Sequence, residues 1–194
     1  MNLKLTDKRA LVSGSTKGIG LAIATALARE GARVVINGRT EASVSAALSE
    51  ILGSVPNATI EGFAGDLAAP QAAELLGTKF PSMDILVNNL GIFEPKPFEQ
   101  IPDDDWRRFF EVNVLSGVRL SRMYLPGMKD RGWGSPRGCH TDTYARDIHR
   151  TDVVGSRFVV GRSPTEGLPG QPRLLMTLFV PTAAATVALP DRCN

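Results

Sequence analysis

This sequence predicts an α/β fold built on a doubly wound parallel sheet, and three observations carry that prediction. An apolar run, Ala10-Leu11-Val12, enters a glycine-rich turn over residues 13–20 that opens into an Ala/Leu helical pattern from Leu21. Strand-like and helix-like stretches then alternate four times. The second strand-like stretch, residues 33–37, is apolar through its middle, as a parallel strand covered by helices on both faces is.

Taken in order, residues 9–14 read as the first strand and 18–30 as its helix, with Gly31 as the stop. Arg33-Val34-Val35-Ile36-Asn37 is a second strand. Thr40 is suited to cap a helix over 41–52, closed by Gly53 and then Pro56. Residues 58–64 form a weaker third strand, followed by Gly65-Asp66-Leu67. Pro70 sits where a first helical turn tolerates proline and opens a helix towards Lys79. Asp84-Ile85-Leu86-Val87 is a fourth strand running into Asn88-Asn89-Leu90-Gly91. A proline-punctuated loop leads to Asp103-Asp104-Asp105, three acids that favour the N-terminal turn of a long helix reaching about Lys129.

The alternation stops there. Residues 135–194 contain no Lys but seven Arg, six of the 13 prolines, and both Cys and both His of the chain. Residues 158–160 and 174–180 are candidate short strands, and no amphipathic helix of ordinary length follows. The expected organisation is a nucleotide-binding unit over 1–134 and an irregular tail over 135–194, disordered or translated in a shifted reading frame.

Length and composition bound the rest. A chain of 194 residues, 43% hydrophobic and 22% charged, has the balance of a soluble globular domain. A net charge of +2 gives no footprint for nucleic acid or an acidic membrane surface. The longest uncharged run, residues 174–190, is short for a membrane span and is broken by Pro181. The charged N-terminus lacks a signal-peptide pattern, so the expected compartment is the cytoplasm. Cys139, His140, Asp142 and His149 are metal-capable types without recognised ligand spacing, and no metal is expected.

Chemistry concentrates at the strand ends. A glycine turn between a strand and a helix leaves backbone N–H groups facing a phosphate, with Gly14 and Gly18 making the turn and Gly20 admitting close packing. A dinucleotide with a free 2′-hydroxyl would call for a carboxylate after the second strand. Asn37-Gly38-Arg39 stands there instead, with Lys17 in the glycine turn. Arg and Lys suit a 2′-phosphate, so NADP(H) is expected over NAD(H). Asp66 is placed to accept from an adenine amino group or to cap the following helix.

Residues 7–134 resemble the N-terminal half of a short-chain dehydrogenase/reductase. The marks are residues 13–20 for a Thr-Gly-x3-Gly-x-Gly motif, Asp66, the turn at 88–91, and Asn113 within Glu111-Val112-Asn113-Val114. Ser13 replaces the usual Thr and Leu90 the usual Ala. The resemblance implies a Rossmann-like sheet and a cofactor site of Gly14, Ser15, Lys17, Gly18, Ile19, Gly20, Asn37, Arg39, Asp66, Leu67, Asn89 and Gly91. It implies a catalytic part for Asn113, bending the long helix and holding a water of the proton relay. It also implies hydride transfer between NADP(H) and a small carbonyl or alcohol substrate, in a homodimer or tetramer.

That chemistry uses a Tyr with a Lys four residues on, because a phenol needs a neighbouring cation to work near neutral pH. The pair is missing here. Tyr124 is followed at that spacing by Met128, with Pro126 and Gly127 arguing for a helix end, and Tyr144 is followed by Ile148. The expectation is an impaired or inactive enzyme; the alternative is a silent NADP(H)-binding remnant or sensor. With Trp106, Phe109, Phe110, Leu115, Val118 and Leu120 on the long helix, poor assembly is expected.

Overall fold

The computed structural model describes residues 5–131, 156–160 and 176–180. Strands β1 (Arg9–Val12), β2 (Arg33–Gly38), β3 (Ile60–Ala64) and β4 (Ile85–Asn88) pair in parallel in the order β3-β2-β1-β4. Two further strands, β5 (Ser156–Val160) and β6 (Met176–Val180), extend the sheet. β6 runs parallel beside β4, with Asn88 opposite Leu178, and β5 runs antiparallel to β6.

Side-chain alternation along the strands explains the two layers. Leu11, Val35 and Leu86 face one side, with Leu76 of α3 (Pro70–Lys79) and Leu120, Tyr124 and Met128 of α5 (Ser116–Asp130). Ala10, Val12, Val34, Ile36, Ile85 and Val87 face the other, against α1 (Gly18–Arg29) and α2 (Glu41–Ser54). Every residue from Ala10 to Val12 is fully buried, as a central strand sandwiched between helices must be.

The local signals act largely as the sequence predicts. The Thr40 side chain accepts from Ser43 N at 3.2 Å, capping α2. Pro70 starts α3, and Gly31 ends the α1 segment at φ +84°. Three expectations need correction. Gly53 does not close α2, which runs on to Ser54 and ends where Val55 N donates to Ile51 O at 2.7 Å. Asp66 does not cap α3: Ala69 holds the N-cap position, and the Asp66 carboxylate accepts from Ala68 N at 3.1 Å. Pro126 lies inside α5 instead of ending it. It is exposed, and lacking an N–H it gives no bond to the carbonyl four residues back.

The long helix is not uniform. α4 (Asp103–Phe110) passes through a π turn, Glu111–Leu115, before continuing as α5. Asn113 sits at the centre of that turn and is buried.

Candidate functional site

The strand order reverses direction between β1 and β4, and the crevice for a ligand in such sheets lies at the carboxyl ends beside that reversal. Four segments leave the sheet there: the glycine turn after β1, Gly38-Arg39 after β2, Gly65-Asp66 after β3, and Asn89-Leu90 after β4. Each of the four segments contributes lining residues to one open cleft.

The cleft wall is held by polar side chains bonded to backbone, with Ser13, Ser15 and Asn37 buried and Asn89 half-buried. Ser13 Oγ accepts from Asn89 N at 2.9 Å and Leu90 N at 3.0 Å, and donates to Val87 O at 3.4 Å. Asn89 Nδ2 returns two bonds, to Ser13 O at 3.1 Å and Gly14 O at 2.9 Å. Asn37 Oδ1 accepts from Gly14 N at 3.1 Å, while its Nδ2 donates to Phe63 O at 3.2 Å and Gly65 O at 3.0 Å. Ser15 Oγ donates to Val12 O at 2.6 Å and accepts from Asn37 N at 2.9 Å. These bonds leave the wall pre-assembled.

Two glycines fix the shape. Gly18 has φ +55° and nothing within 4 Å of where a Cβ would stand, so the α1 N-terminus opens on free space. Gly20 is the reverse: a Cβ there would lie 2.4 Å from Asn89 Nδ2 and 2.5 Å from Gly14 O. The first N–H groups of α1 have no intrahelical acceptor, and no side chain caps them.

Of the residues the sequence singles out, Gly14, Lys17, Asn37, Arg39, Asp66 and Leu67 border the cleft. Ser15, Gly18, Ile19, Gly20, Asn89 and Gly91 do not line it. Of these, Ser15, Gly20 and Asn89 build its wall, and Ile19 is exposed. Thr16, Gly38, Gly65 and Leu90 also line it, beyond the site residues that the sequence singles out. At Gly38 a Cβ would stand 2.4 Å from Thr16 Cγ2 and 2.9 Å from Ser43 Oγ, so a side chain at the end of β2 would have to displace its neighbours. Lys17 and Arg39 are exposed and have no ion-pair partner among the described residues.

Asn113 stands apart from this cluster, on the other side of the turn after β4. Its Oδ1 accepts from Ile92 N at 2.7 Å and its Nδ2 donates to Ile92 O at 3.1 Å. That two-bond clamp fixes the loop just beyond Gly91. Tyr124 is remote in function as well as in spacing. It is buried, its hydroxyl donates to Phe80 O at 3.0 Å, and burial pushes its phenol up to about 12. Tyr144 and the Cys139, His140, Asp142 and His149 group lie outside the described residues. Among the described residues no three metal-ligating side chains gather, and no helix is long and apolar enough to cross a membrane.

The family model for short chain dehydrogenases matches residues 8–135. The chain belongs to the short-chain dehydrogenase family. It is 51% identical over 134 residues to the uncharacterized oxidoreductase YvaG of Bacillus subtilis strain 168, covering 69% of this chain and 51% of that protein. D-beta-hydroxybutyrate dehydrogenase of Cupriavidus necator is 38% identical over 136 residues, covering 67% and 51%. Among solved structures, L-sorbose reductase from Gluconobacter frateurii, complexed with NADPH and L-sorbose, superposes with a TM-score of 0.62 at 33% identity. That match covers 68% of this chain and 51% of the reductase. The chain thus spans about half the length of these relatives. Short-chain dehydrogenases bind NAD or NADP, and the cleft fits the phosphate-bearing end of such a group: open α1 N–H groups, a glycine approach and two free cations.

Proposed function

We propose that this chain carries the NADP(H) site of an oxidoreductase that moves a hydride between the cofactor and a small carbonyl or alcohol substrate. In this reading its turnover is impaired. The observation that carries the cofactor preference is the end of β2. Gly38 leaves no carboxylate to meet a 2′-hydroxyl, while Arg39 and Lys17 border the same cleft without acidic partners. Arg39 binds the 2′-phosphate through its planar fork and Lys17 adds a point charge. Asp66 accepts from the adenine amino group, and the α1 N-terminus takes the pyrophosphate. When bound, the nicotinamide supplies or receives the hydride. Asn113 keeps the loop past Gly91 in place and holds a water of the proton relay. The NADPH complex of the similar L-sorbose reductase supports the same preference.

Impaired turnover rests on the absent Tyr-x-x-x-Lys pair. The one tyrosine of the described region has its hydroxyl committed to Phe80 O and its pKa raised. A protein of this kind that retains only the cleft acts as a silent NADP(H) binder, and the free cations favour that second reading equally. We take residues 1–134 as the binding unit and 135–194 as a tail of shifted reading frame. Support comes from the family match, which stops at residue 135. The nucleotide sequence around the Gly134 codon tests that origin. The reading places the chain in the cytoplasm and makes assembly weak, with Trp106 and Phe110 more than half exposed.

The test is direct. Titration with NADPH and NADH should show tighter NADPH binding, and Arg39→Ala should reduce that gap about tenfold, the size of a lost charge-assisted hydrogen bond. Equal binding of both cofactors by the unaltered chain would end the preference. NADPH oxidation with a carbonyl panel would end the claim of impairment.

A further inference from the structure

Arg119 lies on α5, just past the π turn, with its side chain 23% exposed. Its Nη1 donates to Ala68 O at 2.8 Å, across 51 residues of chain, and its Nη2 meets Glu111 Oε1 in the π turn. Ala68 donates its own N–H to Asp66 Oδ1 at 3.1 Å, and Ala69 N donates to Asp66 O at 2.8 Å. One chain of hydrogen bonds therefore runs from Glu111 through Arg119 and Ala68 to the Asp66 carboxylate. On the opposite side the same π turn holds Ile92 through Asn113. Five residues, Glu111–Leu115, thus brace both the loop after β3 and the loop after β4, which border one cleft.

We propose that Arg119 is a positioning residue for the adenine end of the cleft, presenting Asp66 by fixing Ala68 and anchoring that loop to the π turn. The proposal rests on the cleft being the dinucleotide site argued above. Arginine suits the task because a rigid fork donates along two set directions, to a carbonyl and to a carboxylate, where a lysine offers one rotating point charge. A purely electrostatic role, Arg119 attracting cofactor phosphates through its charge, makes a different forecast. It requires that neutralising Glu111 tighten the binding of an anion. Positioning requires that the same change weaken it, because Arg119 loses its anchor.

The experiment uses the full chain, with adenosine 2′,5′-bisphosphate and nicotinamide mononucleotide as probes of the two cofactor ends. Arg119→Met should weaken the bisphosphate about tenfold, as loss of a charge-assisted bond does, and Glu111→Gln should weaken it about threefold. The double variant should be no worse than Arg119→Met alone, since both act on one contact. Nicotinamide mononucleotide should bind the variants as it binds the parent, whereas general loosening would weaken both probes. Arg119→Lys, which keeps charge and bulk, should fall between parent and Met and covers the case in which Met fails to fold. Hydrogen exchange at the Ala68 amide should quicken in the same order. Tighter bisphosphate binding by Glu111→Gln, or equal binding by Arg119→Lys and the parent, overturns the proposal. Absence of bisphosphate binding by the parent overturns the cofactor reading itself, and this inference with it.

Discussion

Asn37 and Arg108 are both fully engaged polar side chains, and they stand for two regions built on opposite rules. Asn37 is buried at the end of β2 and bonds only to backbone: Gly14 N, Phe63 O and Gly65 O. Arg108 sits on the outer flank of α4 and bonds only to side chains, Glu94 and Asp105, in a cluster completed by Lys96. The cleft wall draws its order from groups that have no water to fall back on, so losing one partner leaves an unsatisfied buried atom. The flank is wet, and its ion pairs are screened and replaceable. The molecule therefore invests its rigidity at the carboxyl edge of the sheet and leaves α4 loosely determined.

Breaking the wall should give the largest effect. Gly20→Ala drives a Cβ to 2.5 Å from Gly14 O and 2.9 Å from Ser15 Cα. It should lower stability by about 2–3 kcal/mol despite alanine's better helix propensity, read by urea unfolding. A neutral result would mean that the glycine turn and the Asn89 turn are not locked together.

Tyr124 tests the same rule on the inner face of the long helix and should give a middling effect. Tyr124→Phe removes the donor to Phe80 O and should cost about 1 kcal/mol at pH 8. The folded phenol titrates at about 12, above its ordinary 10.0. The unfolded chain therefore ionises first, and this contribution is complete below pH 10 and lost as pH rises towards 12. The Phe variant should lack that alkaline loss, so the two stability curves should converge by pH 11. Parallel curves would assign the loss to other groups.

The flank should respond least. Hydrogen bonding to Arg108 holds the Glu94 carboxyl below its ordinary value, and hydrogen bonding to Lys96 does the same for Asp105. Any stability they supply is present above the ordinary carboxylate range and lost as pH falls through their depressed values. Arg108→Ala should leave the unfolding midpoint unmoved at physiological salt, while an NMR titration shows Glu94 rising towards its usual pKa. A clear drop in the midpoint would mean that α4 is as tightly specified as the wall.

The contrast also explains what could be read from the chain. Strands β1 to β4 and the starts of α2 and α3 are legible because their causes are local: an apolar run, a Thr at the N-cap, a Pro in the first turn. The cleft's outline is legible for the same reason, since strand ends and glycines mark it. What escapes is whatever depends on a distant partner. Asn37 reads as a ligand contact, yet its amide bonds to β3 and the loop after it, 26 and 28 residues on. Arg119 carries no sequence signal for its part, which depends on Ala68 being brought beside it across 51 residues. Helical propensity alone does not mark the π turn, since Glu-Val-Asn-Val suits an ordinary helix; only the family resemblance at Asn113 points to a bend there. Its cause is the loop at Ile92, which Asn113 meets only after β4 is placed.

A π turn is an α-helix with one residue too many, and it behaves as a length adjuster. Downstream, Leu120, Tyr124 and Met128 repeat every four residues and all point into the core. Upstream of the turn, Trp106 and Phe110 of α4 are more than half exposed. Deleting Val114, between Asn113 and α5, should restore an uninterrupted helix and keep the seam of Leu120, Tyr124 and Met128, yet swing Asn113 off Ile92. That change forfeits two hydrogen bonds of a buried amide, so it should lower stability as well as alter the geometry beside Gly91. Within this fold, one surplus residue sets how everything before the core-facing seam is turned.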